Sequence, residues 1–305
     1  MGGMARLESV RPHTMSRLVG ILLVAISAAA FGTLAILGKF ALAAGMNAPT
    51  ILFLRFSLAA VCMLTLLGLR REGVPRGVPL LTLIGMGAIG YAGQAMAYLS
   101  ALRFASAGLV ALLLYLYPAF VAILSAIALH ERLTRVKVLA LALALCGTGL
   151  TVNPQGGRVL GMALSILAAL IYSVYIIAGA GVIKRVSAYQ SSAVIFASAG
   201  ATCGILMAVG GAQFPATTWG WWVIAGLALL ATVIPATTFL AGLNRIGATN
   251  ASLVSTLEPA VTVLLAAWLL DEVLPPAAIV GGGLILAAVL LLARGEIYQP
   301  GDARD

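Results

Sequence analysis

One carboxylate stands in the middle of a long apolar run: Glu258, followed at once by Pro259. An ionisable group among Leu, Val and Ala is expensive to keep and by default marks a place where charge is used. Three uses are open to it: pairing with the ammonium of a solute, carrying a coupling proton, or capping an interrupted helix. Phenols accompany it. Tyr91, Gln94 and Tyr98 recur at i, i+3 and i+7, a polar-aromatic stripe on one helix face, and Tyr172 and Tyr175 repeat the i, i+3 step. Tyr117 precedes Pro118 as Glu258 precedes Pro259. A proline inside a helix removes a donor and frees a carbonyl, so Pro118 and Pro259 are expected to act as hinges, or as plain packing kinks. Phenol rings and one carboxylate together suit an amphiphilic solute, through stacking and cation–π contact; ordinary aromatic packing is the alternative. Lys39 and Arg55 lie near the ends of their runs, where they either snorkel to the interface or form an external mouth that attracts carboxylates.

The elements that must position these residues are membrane-spanning helices. Of 305 residues 62% are hydrophobic and 9% charged, with a mean hydropathy of +1.10. A soluble surface needs roughly a quarter charged residues, so the exterior of this chain faces lipid. About 20 apolar residues cross a bilayer core as a helix. Such runs fall at 18–43, 49–69, 78–102, 105–129, 135–152, 159–182, 189–211, 218–242, 247–270 and 276–293, here spans one to ten. Charge, Pro and Gly mark the gaps between them. The gaps are short, which makes sequential helices antiparallel neighbours and leaves no room for a soluble catalytic domain. The first run is too long for a signal-peptide core.

The net charge of +9 is scattered over these gaps, not gathered on one face, which argues against nucleic acid. Cys62, Cys146 and Cys203 lie inside apolar runs and read as free thiols. His130-Glu131 is not a zinc motif, because Thr134 stands where the second histidine belongs. No phosphate loop or metal spacing occurs, and neither cofactor, metal nor catalytic residue is expected. Lys and Arg divide fourteen to two between the sides of a ten-span chain, so both termini are expected in the cytoplasm.

The sequence also repeats. An offset of 141 residues aligns Pro118 with Pro259, Ala119 with Ala260, Glu131 with Glu272 and Phe31 with Tyr172, with 12 identities in the 36 positions from 98 to 133. Each copy holds five spans, and because five is odd the second must enter the membrane inverted. The expected fold is therefore an all-α polytopic membrane protein, ten transmembrane helices in two inverted five-helix repeats at 18–152 and 159–293, between cytoplasmic tails at 1–17 and 294–305. Many secondary transporters share this plan, with the site at the repeat interface near the midplane. Phe31, Tyr91, Gln94, Tyr98, Tyr117, Tyr172, Tyr175 and Glu258 are then expected to line a central substrate cavity.

These residues resemble the drug/metabolite transporter superfamily in its ten-helix EamA type. The resemblance rests on Phe31-Gly32-Thr33 with Lys39, on Arg55, on Glu258-Pro259-Ala260 with Asp271-Glu272, on Glu131 in the first copy, and on Gly281-Gly282-Gly283. Tyr117 departs from it, standing where a glutamate would match the second copy. The resemblance implies a secondary transporter of the cell inner membrane that exports small molecules without ATP. Within the superfamily the chain is similar to exporters of aromatic amino acids of the YddG type. A multidrug exporter of lipophilic cations is the alternative. Protons are a candidate coupling ion, and the oligomeric state is left open.

Overall fold

Lipid offers the backbone no hydrogen-bond partners, so an apolar chain in a bilayer closes its amides within helices. The computed structural model describes residues 2–101, 104–105, 110, 113–151, 158–270 and 276–298, and among them helices follow the expected spans. Span one lies within Gly2–Gly32, whose helix begins in the tail, and Leu34–Ala43; span two is Ala48–Leu69, and span three Val78–Gly85, Met86–Tyr91 and Ala92–Ala101. Tyr117–Ala128 is the second half of span four; Arg135–Thr151, Val159–Val182 and Ala188–Gly210 are spans five to seven. Thr218–Ala228, Leu229–Val233 and Ile234–Ser255 carry span eight and the start of nine, Leu257–Leu270 completes nine, and Pro276–Tyr298 is ten. Large apolar side chains such as Leu22, Val61, Ile89, Ile127 and Ile205 are exposed along these helices, as lipid-facing surfaces require.

The most extensive helix contacts all run between the two halves. Span two lies along seven, one along eight, five along ten and three along six, while one also meets nine and four meets six. Exchanging the halves turns each of these pairs into another of the same set, which a pseudo-twofold axis demands. Small residues permit the closest approaches. A Cβ added at Gly242 would lie 2.5 Å from Val24, and one at Gly147 would lie 2.6 Å from the Gly281 carbonyl. Polar side chains pin the two–seven pair at both ends. Asn47 donates to the Gly211 carbonyl (2.8 Å) at one end, and at the other Ser187 donates to Glu72 (2.7 Å) and Gln190 to the Gly73 carbonyl (2.7 Å).

Three local features depart from ten straight spans. Met86–Tyr91 and Leu229–Val233 are π-helical, and the offset of 141 superposes most of one segment on the other. The second is explained by Pro235, which cannot donate into the turn before it, and by the Thr232 hydroxyl, which fills the widened turn by donating to the Leu227 carbonyl at 2.7 Å. Span one breaks at Thr33, whose hydroxyl donates back to the Ala30 carbonyl at 2.7 Å. Finally, spans eight and nine need no loop: helix runs to Ile246 and resumes at Ala248 around the single residue Gly247, held at φ 80°, ψ 171°. A backbone shape almost confined to glycine makes that joint.

Candidate functional site

Spans four and nine are interrupted at matching positions. The first break is at 115–116 and the second at Thr256, and the helices that follow carry Tyr117-Pro118 and Glu258-Pro259 in their opening turns. Proline is welcome there, because amides of a first turn have no helical acceptor to lose. Glu258 thereby sits at the positive end of a half-helix, where a carboxylate is favoured.

Hydrogen bonds tie the breaks to spans one and six in a symmetric way. Thr262 lies 3.1 Å from the Gly32 carbonyl and 3.0 Å from that of Glu258, so its hydroxyl joins the break of span one to that of nine. In the other half Ser173, the repeat mate of Gly32, lies 3.2 Å from the Tyr117 carbonyl. Gly32 is needed for this approach, since a Cβ there would stand 2.8 Å from Val261.

The tyrosines form a chain of rings. Tyr117 meets Tyr172 edge-on at 4.8 Å between centroids, Tyr172 stacks on Tyr175 at 5.9 Å, and Tyr175 stacks on Tyr91 at 5.8 Å. The Tyr117 hydroxyl donates to the Ser252 carbonyl at 3.4 Å. Glu258 lies among the phenols of Tyr98, Tyr115, Tyr117 and Tyr172, with Tyr115 as its hydrogen-bonding neighbour. It is half-buried. Phe31, Gln94, Tyr98 and Tyr172 share that half-buried state, whereas Tyr91, Tyr117 and Tyr175 are buried.

The two cationic candidates part company. The Lys39 side chain lies outside the described residues. Arg55 does not snorkel: it is 6% exposed, with Nη2 3.3 Å from the Tyr91 hydroxyl and its guanidinium 4.6 Å from the Phe56 ring centre. Neighbouring helices cover it, and snorkelling presumes an uncovered helix. Trp219, Trp221 and Trp222 are exposed at the start of span eight, where an aromatic belt would place them. Asp271 and Glu272 fall outside the described residues. Glu131 is placed: its carboxylate accepts the Ala248 amide (3.1 Å) and lies 3.9 Å from Lys137. Beside it, Leu129, Ala180, Lys184, Asn244 and Gly247 help to line a cavity of about 280 Å³ at the ends of spans four, six and eight.

The profile of the EamA-like transporter family matches this arrangement twice, over residues 18–153 and again over 159–294. The chain belongs to that family. As an EamA-like protein it is a multi-pass membrane transporter of the drug/metabolite type, handling small-molecule substrates within the bilayer. A solved structure, described as a crystal structure of a protein, has the same fold: TM-score 0.78 at 22% identity, over 93% of this chain and 98% of that one. Comparison with curated proteins gave no match.

Tyr115, Thr262 and Ser173 also stand at the site of this EamA-like chain, without a periodic signal in the sequence. In an unbroken helix Tyr115 and Tyr117 would point about 200° apart. The break brings their rings to 6.4 Å. For Thr262 and Ser173, the available signal is a lone hydroxyl in an apolar run.

Proposed function

We propose that this EamA-like transporter exports amino acids, aromatic ones foremost, across the cell inner membrane by alternating access, with both termini in the cytoplasm and 18–152 and 159–293 as its two moving units. The observation that carries this reading is Glu258: a half-buried carboxyl in the middle of an apolar span, on the first turn of a broken helix and among phenol rings. In that setting the carboxylate binds the ammonium of a solute, and the half-buried rings of Phe31, Tyr98 and Tyr172 take its aromatic side chain. Pro118 and Pro259 let the two halves of spans four and nine tilt independently, which alternating access needs. The fourteen-to-two division of basic residues supports the orientation.

The test is a substrate panel with pure protein in liposomes, run with and without a pH gradient. Saturable movement of aromatic amino acids, competed by their unlabelled forms, is expected. Movement of lipophilic cations with no movement of any amino acid would replace this reading with a multidrug exporter, and no movement of any solute would remove it.

A further inference from the structure

Arg55 sits where the fold does not require a cation. The offset of 141 places Phe196 at its position in the second copy, and Phe196 fills that position as a fully buried ring 6.3 Å from Tyr91. Glu258 is the converse case, opposite Tyr117. At these two positions the halves depart from symmetry by a buried cation and a half-buried acid, each matched by an aromatic residue in the other copy. An aromatic ring serves the packing at both positions, so the charges themselves call for an explanation.

Arg55 is also incompletely satisfied. Its guanidinium offers five donors in one plane. Nη2 reaches only a neutral phenol, that of Tyr91, at 3.3 Å, and Nε has no hydrogen-bond partner. No carboxylate among the described residues pairs with it. A buried charge without an opposite charge is costly. The group that matches a guanidinium fork in charge and shape is a carboxylate, which accepts two parallel hydrogen bonds.

Tyr91 links this cation to the chain of rings, one face on Tyr175, which stacks in turn on the half-buried Tyr172, and the hydroxyl on Arg55. It closes the π-helical segment Met86–Tyr91. A π turn holds one residue more than an α turn and is frequent at functional sites. Gly90, beside Tyr91, lets the Tyr175 ring pack close against span three, since a Cβ there would lie 3.2 Å from that ring.

We propose that Arg55 is a carboxylate-binding station on the solute pathway, distinct from Glu258, with the Tyr91 hydroxyl as placeholder until the carboxylate of the solute displaces it. The proposal rests on the amino-acid export reading and adds the second charge of the zwitterion: ammonium on Glu258, carboxylate on Arg55, at successive positions along the path.

The test compares transport of tryptophan with that of tryptamine, which has the same ring and ammonium but no carboxylate, by the pure protein in liposomes. Arg55→Gln is expected to lower the tryptophan-to-tryptamine ratio of kcat/KM about ten- to a hundredfold, with Arg55→Lys recovering part of it. An equal loss on both solutes, or none, would overturn the proposal. If Arg55→Gln does not fold, Tyr91→Phe decides. Removing the placeholder should raise the ratio, and an unchanged or lower ratio overturns the proposal. Wild-type protein that moves tryptamine but not tryptophan would instead refute the export reading, and the station with it.

Discussion

The Glu131 carboxylate, on the segment after span four, accepts the backbone amide of Ala248, where helix resumes at the start of span nine, at 3.1 Å. The first half of the chain therefore caps a helix of the second, at the joint where spans eight and nine meet around Gly247. Gly247→Ala should destabilise the protein by about 1–3 kcal/mol. The backbone there is at φ 80° and a Cβ would lie 2.9 Å from the carboxylate. Glu131→Ala should lose about 0.5–2 kcal/mol, as removal of a cap does. Glu131→Gln, which keeps an acceptor, should lose less. Melting temperatures of the purified protein in detergent check all three, and equal values for wild type and Gly247→Ala would deny the joint its importance.

Charge and shape separate at Glu258. Glu258→Gln preserves the outline and a hydrogen-bonding end, so it should fold as wild type yet lose transport by about a hundredfold or more, since what it removes is one partner of a desolvated pair. Tyr117→Phe and Tyr172→Phe should lose less and shift substrate preference. Exchange of labelled for unlabelled solute at zero pH gradient then distinguishes the roles: a pure proton carrier keeps exchange in the Gln variant, and a solute ligand does not. Wild-type transport with wild-type pH dependence in Glu258→Gln would return the residue to a capping role.

The prolines offer a kinetic test. Pro118→Ala and Pro259→Ala should each slow transport while leaving expression and melting behaviour near wild type, because each removes the proline's bar to helix continuing through the break. Unchanged rates in both variants would reduce the breaks to features of packing.

Orientation is checked with reporter fusions. Signals at Arg76 and Arg135 should be cytoplasmic, and those at Gly45 and Gln213 external. A cytoplasmic reading at Gln213 is incompatible with an inverted second copy.

Much of this architecture is legible in the sequence because lipid reduces the choices: an apolar run of span length is a helix, and aligned prolines mark aligned breaks. What escapes the sequence depends on neighbours. The burial of Arg55 follows from spans three and seven closing over it, as the contact of Tyr91 with both Arg55 and Phe196 shows. The pairing of Tyr115 with Tyr117 needs a break whose position is fixed within one residue. The π segment at Met86–Tyr91 has no proline to announce it, unlike its counterpart before Pro235. Glu258 was legible because a lone carboxylate in an apolar run has few bland explanations, and Thr262 was not, because a hydroxyl there can satisfy itself on its own helix.

That the broadest helix contacts all join one half to the other has a consequence for biogenesis. As the chain leaves the ribosome, spans one to five enter the membrane before any of their principal partners has been synthesised. The Gly20 and Gly147 surfaces then lie against lipid or against transient neighbours until Gly242 and Gly281 arrive. The first half must wait in the bilayer as separate inserted helices, and the native fold can close only late, once translation has passed the second copy.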